Sequence, residues 1–170
     1  MLQTVLNPDT GRKAQLSYKG IYFRVGDKVM QTKNNYDLQY KRDGGEYGTG
    51  VFNGDVGYIT DIDKRGGIMT VRFDDRTVTY FSEDLSQLEP AYAVTVHKSQ
   101  GSEYRAVIFV SAPAAPGLMV RGVLYTAITR ARELLILVGD DVSLGKMAAN
   151  DRRTRRYSGL RWRLGNGGTA

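Results

Sequence analysis

Two polar stretches, each set between apolar runs, carry side chains suited to phosphate chemistry. The first is Val96-His97-Lys98-Ser99-Gln100-Gly101-Ser102-Glu103-Tyr104. Its hydroxyls, amides and the Lys98 ammonium suit phosphate oxygens, and Gly101 permits a close backbone approach. The same run also reads as a short capped helix with a glycine at its C-terminus, present only for folding. The second stretch is Leu124-Tyr125-Thr126-Ala127-Ile128-Thr129-Arg130-Ala131-Arg132. A guanidinium at Arg130, turned away from the core, would neutralise charge on a transferring phosphoryl group. The alternative is a surface arginine paired with Glu133 or Asp141.

Other chemistries are excluded by residue type. The 170 residues hold no GxxxxGK[ST] phosphate loop, so this chain is not a self-sufficient P-loop ATPase. His97 and Ser99 lie too close in sequence to make a dyad. With no cysteine and one histidine, disulfides, thiolate metal sites and multi-histidine sites are out, and no metal ligand is expected.

The elements that must position these stretches change character along the chain. Residues 1–6 read as the last turns of a helix stopped by Asn7-Pro8, and 9–20 as a loop. Val29-Met30-Gln31-Thr32 is a candidate strand after the turn Gly26-Asp27. Asn, Asp, Gly and Tyr dominate 33–50, which predicts irregular structure. From 51 to 81 apolar residues alternate with polar ones around turns at 64–67 and 74–76, as in a small antiparallel β-barrel.

After Pro90 the grammar becomes that of an α/β sheet. Ala93-Val94-Thr95-Val96 is strand-like. Residues 106–110 and 134–138 are continuous apolar runs, as buried parallel strands are. Val120, Val123, Leu124, Ala127, Ile128 and Ala131 recur at helical spacing, and 144–149 is a short helix. Loops at the ends of such strands are where α/β domains bind ligands.

Composition adds a charge asymmetry. Of 24 lysines and arginines, six arginines fall in 152–163, leaving 18 against 18 acidic residues elsewhere. The +6 net charge is therefore a property of this tail. It is either a phosphate-binding arm or a solvated helix whose arginine stems lie on apolar surface, anchored by Leu160, Trp162 and Leu164. No membrane-length apolar run and no secretory signal is present, so a cytoplasmic protein is the expectation.

Taken together, the motifs resemble a family. Residues 92–104 look like motif V, and 124–132 like motif VI, of superfamily 1 DNA helicases of the RecD/TraA type. Phe23-Arg24-Val25-Gly26-Asp27-Lys28-Val29-Met30-Gln31-Thr32-Lys33-Asn34-Asn35-Tyr36 resembles the segment that precedes the barrel insertion in that family. Phe52-Asn53-Gly54-Asp55-Val56-Gly57 resembles the opening of the barrel. The match covers about residues 20 to 145.

The resemblance implies an α/β fold: a partial RecA-like, P-loop-type domain, 2A, at 20–40 and 90–150. An inserted SH3-like barrel, 2B, would occupy 41–89, with a helix end and loop at 1–19 and the basic tail at 151–170. The polar stretch at 41–50 is longer than a minimal lead into such a barrel. Domain 1A, with its Walker motifs, would be absent, so the chain would be the C-terminal part of a 5′–3′ helicase. The resemblance makes Arg130 the arginine that reaches the γ-phosphate of ATP. It places Glu103 and Gly101 at the nucleotide, and Thr95, His97, Lys98 and Ser99, with Gln100 shaping the same loop, at the single-stranded DNA backbone. Asn34, Asn35 and Tyr36 fall near the strand path, and the barrel would touch DNA, with Tyr40, Tyr47 and Phe52 either base-stacking side chains or barrel core. ATP and Mg would be held mainly by 1A. Expected partners are single-stranded DNA, domain 1A, and nuclease or relaxase subunits, with no membrane. A competing reading is a standalone nucleic-acid-binding or regulatory module, and a third is a barrel that docks on a protein.

Overall fold

The computed structural model describes residues 2–152. Both readings of the arginine-rich tail therefore lie, apart from Arg152, outside the described residues. The chain divides into two compact units, Met1–Ser102 and Glu103–Ala170.

The first unit opens with α1 (Leu2–Leu6), and Asn7 N–H closes its last turn on the Gln3 carbonyl before Pro8. Next comes a hairpin of β1 (Gln15–Tyr18) and β2 (Ile21–Arg24), within the stretch that composition marks as a loop. Its two-residue turn puts Lys19 and Gly20 at φ 47° and 82°. That double left-handed geometry matches the right-handed twist of the flanking strands.

Seven further strands form one antiparallel sheet. They are β3 (Lys28–Gln31), β4 (Asn35–Arg42), β5 (Tyr47–Val51), β6 (Val56–Asp63), β7 (Ile68–Phe73), β8 (Arg76–Tyr80) and β9 (Leu88–Pro90). Their order is β5-β4-β8-β7-β6-β3-β9. The expected alternation is plain in β7, where Met69, Val71 and Phe73 are buried and Arg72 is exposed. The inward residues of these strands, with Phe23, Leu85 and Leu88, make a single core. Full burial of each large apolar side chain stabilises by ~1.5–3 kcal/mol, so this core dominates the unit. β3 and β4 hydrogen-bond into the same sheet as the strands that follow them.

Two further sequence expectations give way here. Residues 33–50, expected to be irregular, form β4 and β5. β4 is clasped on both sides, by β5 and by β8, and the Tyr40 ring covers Gly48 so closely that any Cβ there would collide with it. Pairing and ring cover overcome poor strand propensity. Residues 93–96, expected as a strand, form none. The chain turns instead from Thr95 onward, with Ser99 N–H donating to the Thr95 carbonyl at 3.1 Å.

The second unit is α/β. β10 (Tyr104–Ser111) and β11 (Ala131–Gly139) pair in parallel. Between them lies α2 (Arg121–Ile128), and α3 (Asp141–Ala149) follows. Asp140 caps α3, accepting Ser143 N–H at 2.6 Å. The Ser143 hydroxyl first, and then this N–H, hold the Asp140 carboxyl below the usual carboxylate range. The strands form where expected, but much of their apolar surface is uncovered among the described residues, with Val107, Phe109 and Leu135 only half-buried. Ile108 and Val110 are 65% and 64% exposed, and Leu134 51%, whereas parallel sheets are normally covered on both faces.

Candidate functional site

Two networks of buried polar side chains fix the loops of the first unit. Asp27, fully buried, accepts four hydrogen bonds. Oδ1 takes Asn7 Nδ2 at 2.6 Å and the Tyr92 hydroxyl at 2.8 Å, and Oδ2 takes Arg24 N–H at 2.8 Å and Gln3 Nε2. One carboxylate thus ties α1, the turn before β3 and the segment that leads into residues 95–101. Burial, then the bond to Asp27, pushes the Tyr92 phenol up to about 12. The second network centres on Gln31, also fully buried. Its Oε1 accepts the Tyr80 hydroxyl at 2.9 Å, and its Nε2 donates to Gln87 Oε1 and to the Lys33 carbonyl, each at 2.9 Å.

Residues 95–101 form a single capped turn. Thr95 Oγ1 accepts Lys98 N–H at 3.3 Å, and Ser99, buried, donates its hydroxyl to the Val96 carbonyl at 2.8 Å. Gly101 follows at φ 87° with open space where a Cβ would stand. The stretch is thus a hydrogen-bonded turn followed by a glycine rather than a short helix, and it leaves a polar surface outward. Thr95, His97 and Gln100 are exposed. Lys98 forms an ion pair with Glu89 across the same surface. The turn thus offers hydroxyl, imidazole, amide and ammonium groups together.

Asn34 and Asn35 brace the neighbouring turn. Asn34 Oδ1 accepts Asn53 N–H at 2.9 Å, and Asn35 Oδ1 accepts the N–H groups of Asp37 and Leu38, each at 3.1 Å. Asn35 Nδ2 also donates to Gln87 Oε1 at 3.1 Å. Tyr36 and Phe52 stand outward from this turn with rings in contact. Tyr47 is exposed, whereas Tyr40 is half-buried against the core, with the Arg42 and Arg76 guanidiniums 5.8 and 5.4 Å from its ring. Of the three aromatic candidates, Tyr40 is thus a packing residue, and Tyr47 and Phe52 lie open.

Glu103 and Arg130 belong to the second unit. Arg130 lies just past the C-cap of α2, not within the helix. Its backbone is held at both ends: its N–H donates to the Ala127 carbonyl at 3.2 Å, and its carbonyl accepts Tyr104 N–H at 2.8 Å. The half-exposed guanidinium folds onto the helix end, with Nε to the Thr126 carbonyl at 3.1 Å and Nη2 to Thr129 Oγ1 at 3.2 Å. A cation at the negative end of a helix is well placed electrostatically. Glu103 pairs with Arg132 at 2.6 Å, and Glu133 takes Arg105 in a two-pronged pair at 3.0 and 3.1 Å.

Sequence reasoning missed Asp27 as a hub and Tyr36 as half of an aromatic pair. Asp27 follows a glycine and precedes a strand, so its local sequence reads only as a turn. Tyr36 lies in β4 and Phe52 directly follows β5, so their contact depends on the pairing of Asn35 with Val51, in a stretch whose composition reads as irregular.

Comparison with known proteins is consistent in its direction. Residues 1–73 match the family model of the SH3 domain of ATP-dependent RecD-like DNA helicases, and residues 90–138 match that of the UvrD-like helicase C-terminal domain. The ATP-dependent RecD2 DNA helicase of Deinococcus radiodurans is 33% identical over 163 residues, 96% of this chain and 20% of that protein. The RecBCD enzyme subunit RecD of Mycobacterium tuberculosis is 35% identical over 119 residues, 70% of this chain and 20% of its own length. The chain thus spans about a fifth of the length of these relatives. Among solved structures, Bacteroides Pif1 bound to ssDNA is 20% identical, covers 86% of this chain and 35% of its own, and has a TM-score of 0.48. Two family models met in chain order, the second containing both phosphate-suited stretches, place this chain in the RecD-like DNA helicase family.

Proposed function

We propose that the chain is the C-terminal part of an ATP-dependent 5′–3′ DNA helicase, contributing motif V and motif VI contacts to ATP and single-stranded DNA. The observation that carries this reading is the collinearity of the two family matches with the motif-bearing stretches. In this reading residues 20–40 and 90–150 belong to a RecA-like domain 2A. Residues 41–89 belong to an SH3-like insertion, 2B. The Walker motifs come from a domain 1A, and nuclease or relaxase subunits are candidate partners of the whole enzyme. The compartment is the cytoplasm.

The residues present fit a nucleotide. Arg130 is held by its backbone with its guanidinium at the surface, as a group that must meet a phosphate from another domain should be. Glu103, exposed on the first residue of its unit, offers an acceptor for ribose hydroxyls, and Gly101 leaves room for close approach. When bound, ATP with Mg supplies the phosphoryl transfer that drives movement. Arg130 neutralises charge on the terminal phosphate, and losing that contact lets the domains part. The outward groups of 95–101 hold the strand through its phosphates, so binding depends little on sequence.

Titration of the chain with a fluorescent single strand at two salt concentrations tests this. Affinity should fall steeply as salt rises, with a log–log slope of about −0.7 for each phosphate neutralised. Absence of binding at low salt would favour a protein-docking role instead.

A further inference from the structure

Tyr36 and Phe52 are 66% and 41% exposed. Their ring centroids lie 5.7 Å apart with planes at 72°, an edge-to-face pair. The pair stands on braced backbone. Phe52 N–H donates to Asp55 Oδ2 at 3.1 Å, Asn53 N–H to Asn34 Oδ1 at 2.9 Å, and Gly54 N–H to the Gln31 carbonyl at 2.9 Å. Arg76 holds the same Asp55 carboxylate at 3.1 Å. Gly50, at φ 105°, makes room for the Phe52 ring, which a Cβ there would approach to 3.1 Å. Two large rings, one on β4 and one on a hydrogen-bonded turn after β5, thus stand outward side by side.

The surroundings say what the rings meet. Lys33 and Asn34 are exposed beside Tyr36, and Asn53 is exposed beside Phe52. The turn also abuts the 95–101 surface, since a Cβ on Gly54 would stand 3.9 Å from the Lys98 carbonyl. The two rings together offer roughly 200 Å², far less than the ~800 Å² per partner of a stable protein interface. An area of that size, rimmed by amides and a cation, suits one or two flat rings.

We propose that Tyr36 and Phe52 form a stacking platform for the bases of single-stranded nucleic acid whose phosphates lie on residues 95–101. This rests on the nucleic-acid reading above and adds a base contact to it. Every base has a π-face, so the platform tolerates any sequence.

The test compares a fluorescent single strand with a strand of equal length made only of abasic sites, both titrated with the chain by anisotropy. The unaltered chain should bind the base-bearing strand about tenfold or more tightly than the abasic one. A double Tyr36→Leu, Phe52→Leu variant should bind both strands alike, at the abasic strength, with an unchanged salt slope and far-ultraviolet spectrum. Phe52→Tyr, which keeps the ring, should retain the preference. If the double variant keeps the preference, or Phe52→Tyr loses it, the platform is overturned while the nucleic-acid reading stands. If the unaltered chain binds neither strand at low salt, the nucleic-acid reading itself falls, and the platform with it.

Discussion

Replacing Arg130 with alanine in the full-length helicase should lower DNA-stimulated ATP turnover by about 10³-fold or more, the loss expected of an arginine that neutralises a transferring phosphoryl group. The fold should barely change. The backbone of residue 130 is anchored by its own N–H and carbonyl, which alanine keeps. The side-chain bonds to the Thr126 carbonyl and Thr129 Oγ1 lie at a half-exposed helix end, where their loss costs about 1 kcal/mol. Hydrogen bonds from a guanidinium to a charged phosphate are roughly twice as strong as those to neutral oxygens, so a phosphate competes well for this side chain. The loss should therefore fall on kcat, with single-strand affinity little changed. Arg130→Lys keeps the charge but not the planar fork, so it should recover part of the activity at most. Turnover near the unaltered rate at saturating DNA would remove Arg130 from the chemistry.

Much of this arrangement was legible in the residues, and the failures share one cause. The alternation of Met69, Val71 and Phe73 against Arg72 needs only the pleat to be read, and β7 lies there. The apolar runs at 106–110 and 134–138 lie in parallel β10 and β11. Local composition misleads where a distant partner decides. Asn, Asp and Gly in 33–50 argue against strands, yet β8 and the Tyr40 ring hold β4 and β5 in place. Ala93-Val94-Thr95-Val96 has strand propensity, yet the Thr95 hydroxyl captures Lys98 N–H and turns the chain. The polar stretch at 95–101 was visible from its residue types, but the aromatic pair beside it was not. No local pattern says that residue 36 will meet residue 52.

The same reasoning gives Asp27 a large stability effect. Asp27→Ala should cost about 3–5 kcal/mol, a large part of the ~5–15 kcal/mol that holds a typical domain. Its carboxylate receives only donors: the Asn7 and Gln3 amides, Arg24 N–H and the Tyr92 hydroxyl. Without it those groups face a small void, and each buried donor left unsatisfied costs about 1–3 kcal/mol. Asn7 is itself buried and donates to the Val25 carbonyl as well, so it cannot simply swing to water. Asp27→Asn should cost nearly as much, because it turns an amide NH₂ toward groups that all donate. Tyr92→Phe removes one bond and should cost about 1 kcal/mol. Tyr92 also sets a pH limit: its pKa is raised above the ordinary phenol value, to about 12. A raised folded-state pKa means that the protonated phenol favours the fold. Its contribution is complete below about pH 10 and is lost as pH climbs from there toward about 12. Urea unfolding followed by circular dichroism at neutral and alkaline pH reads all three variants. An Asp27→Asn variant as stable as the parent would show that the four bonds do not hold the turn, and that the segment leading into 95–101 is positioned by something else.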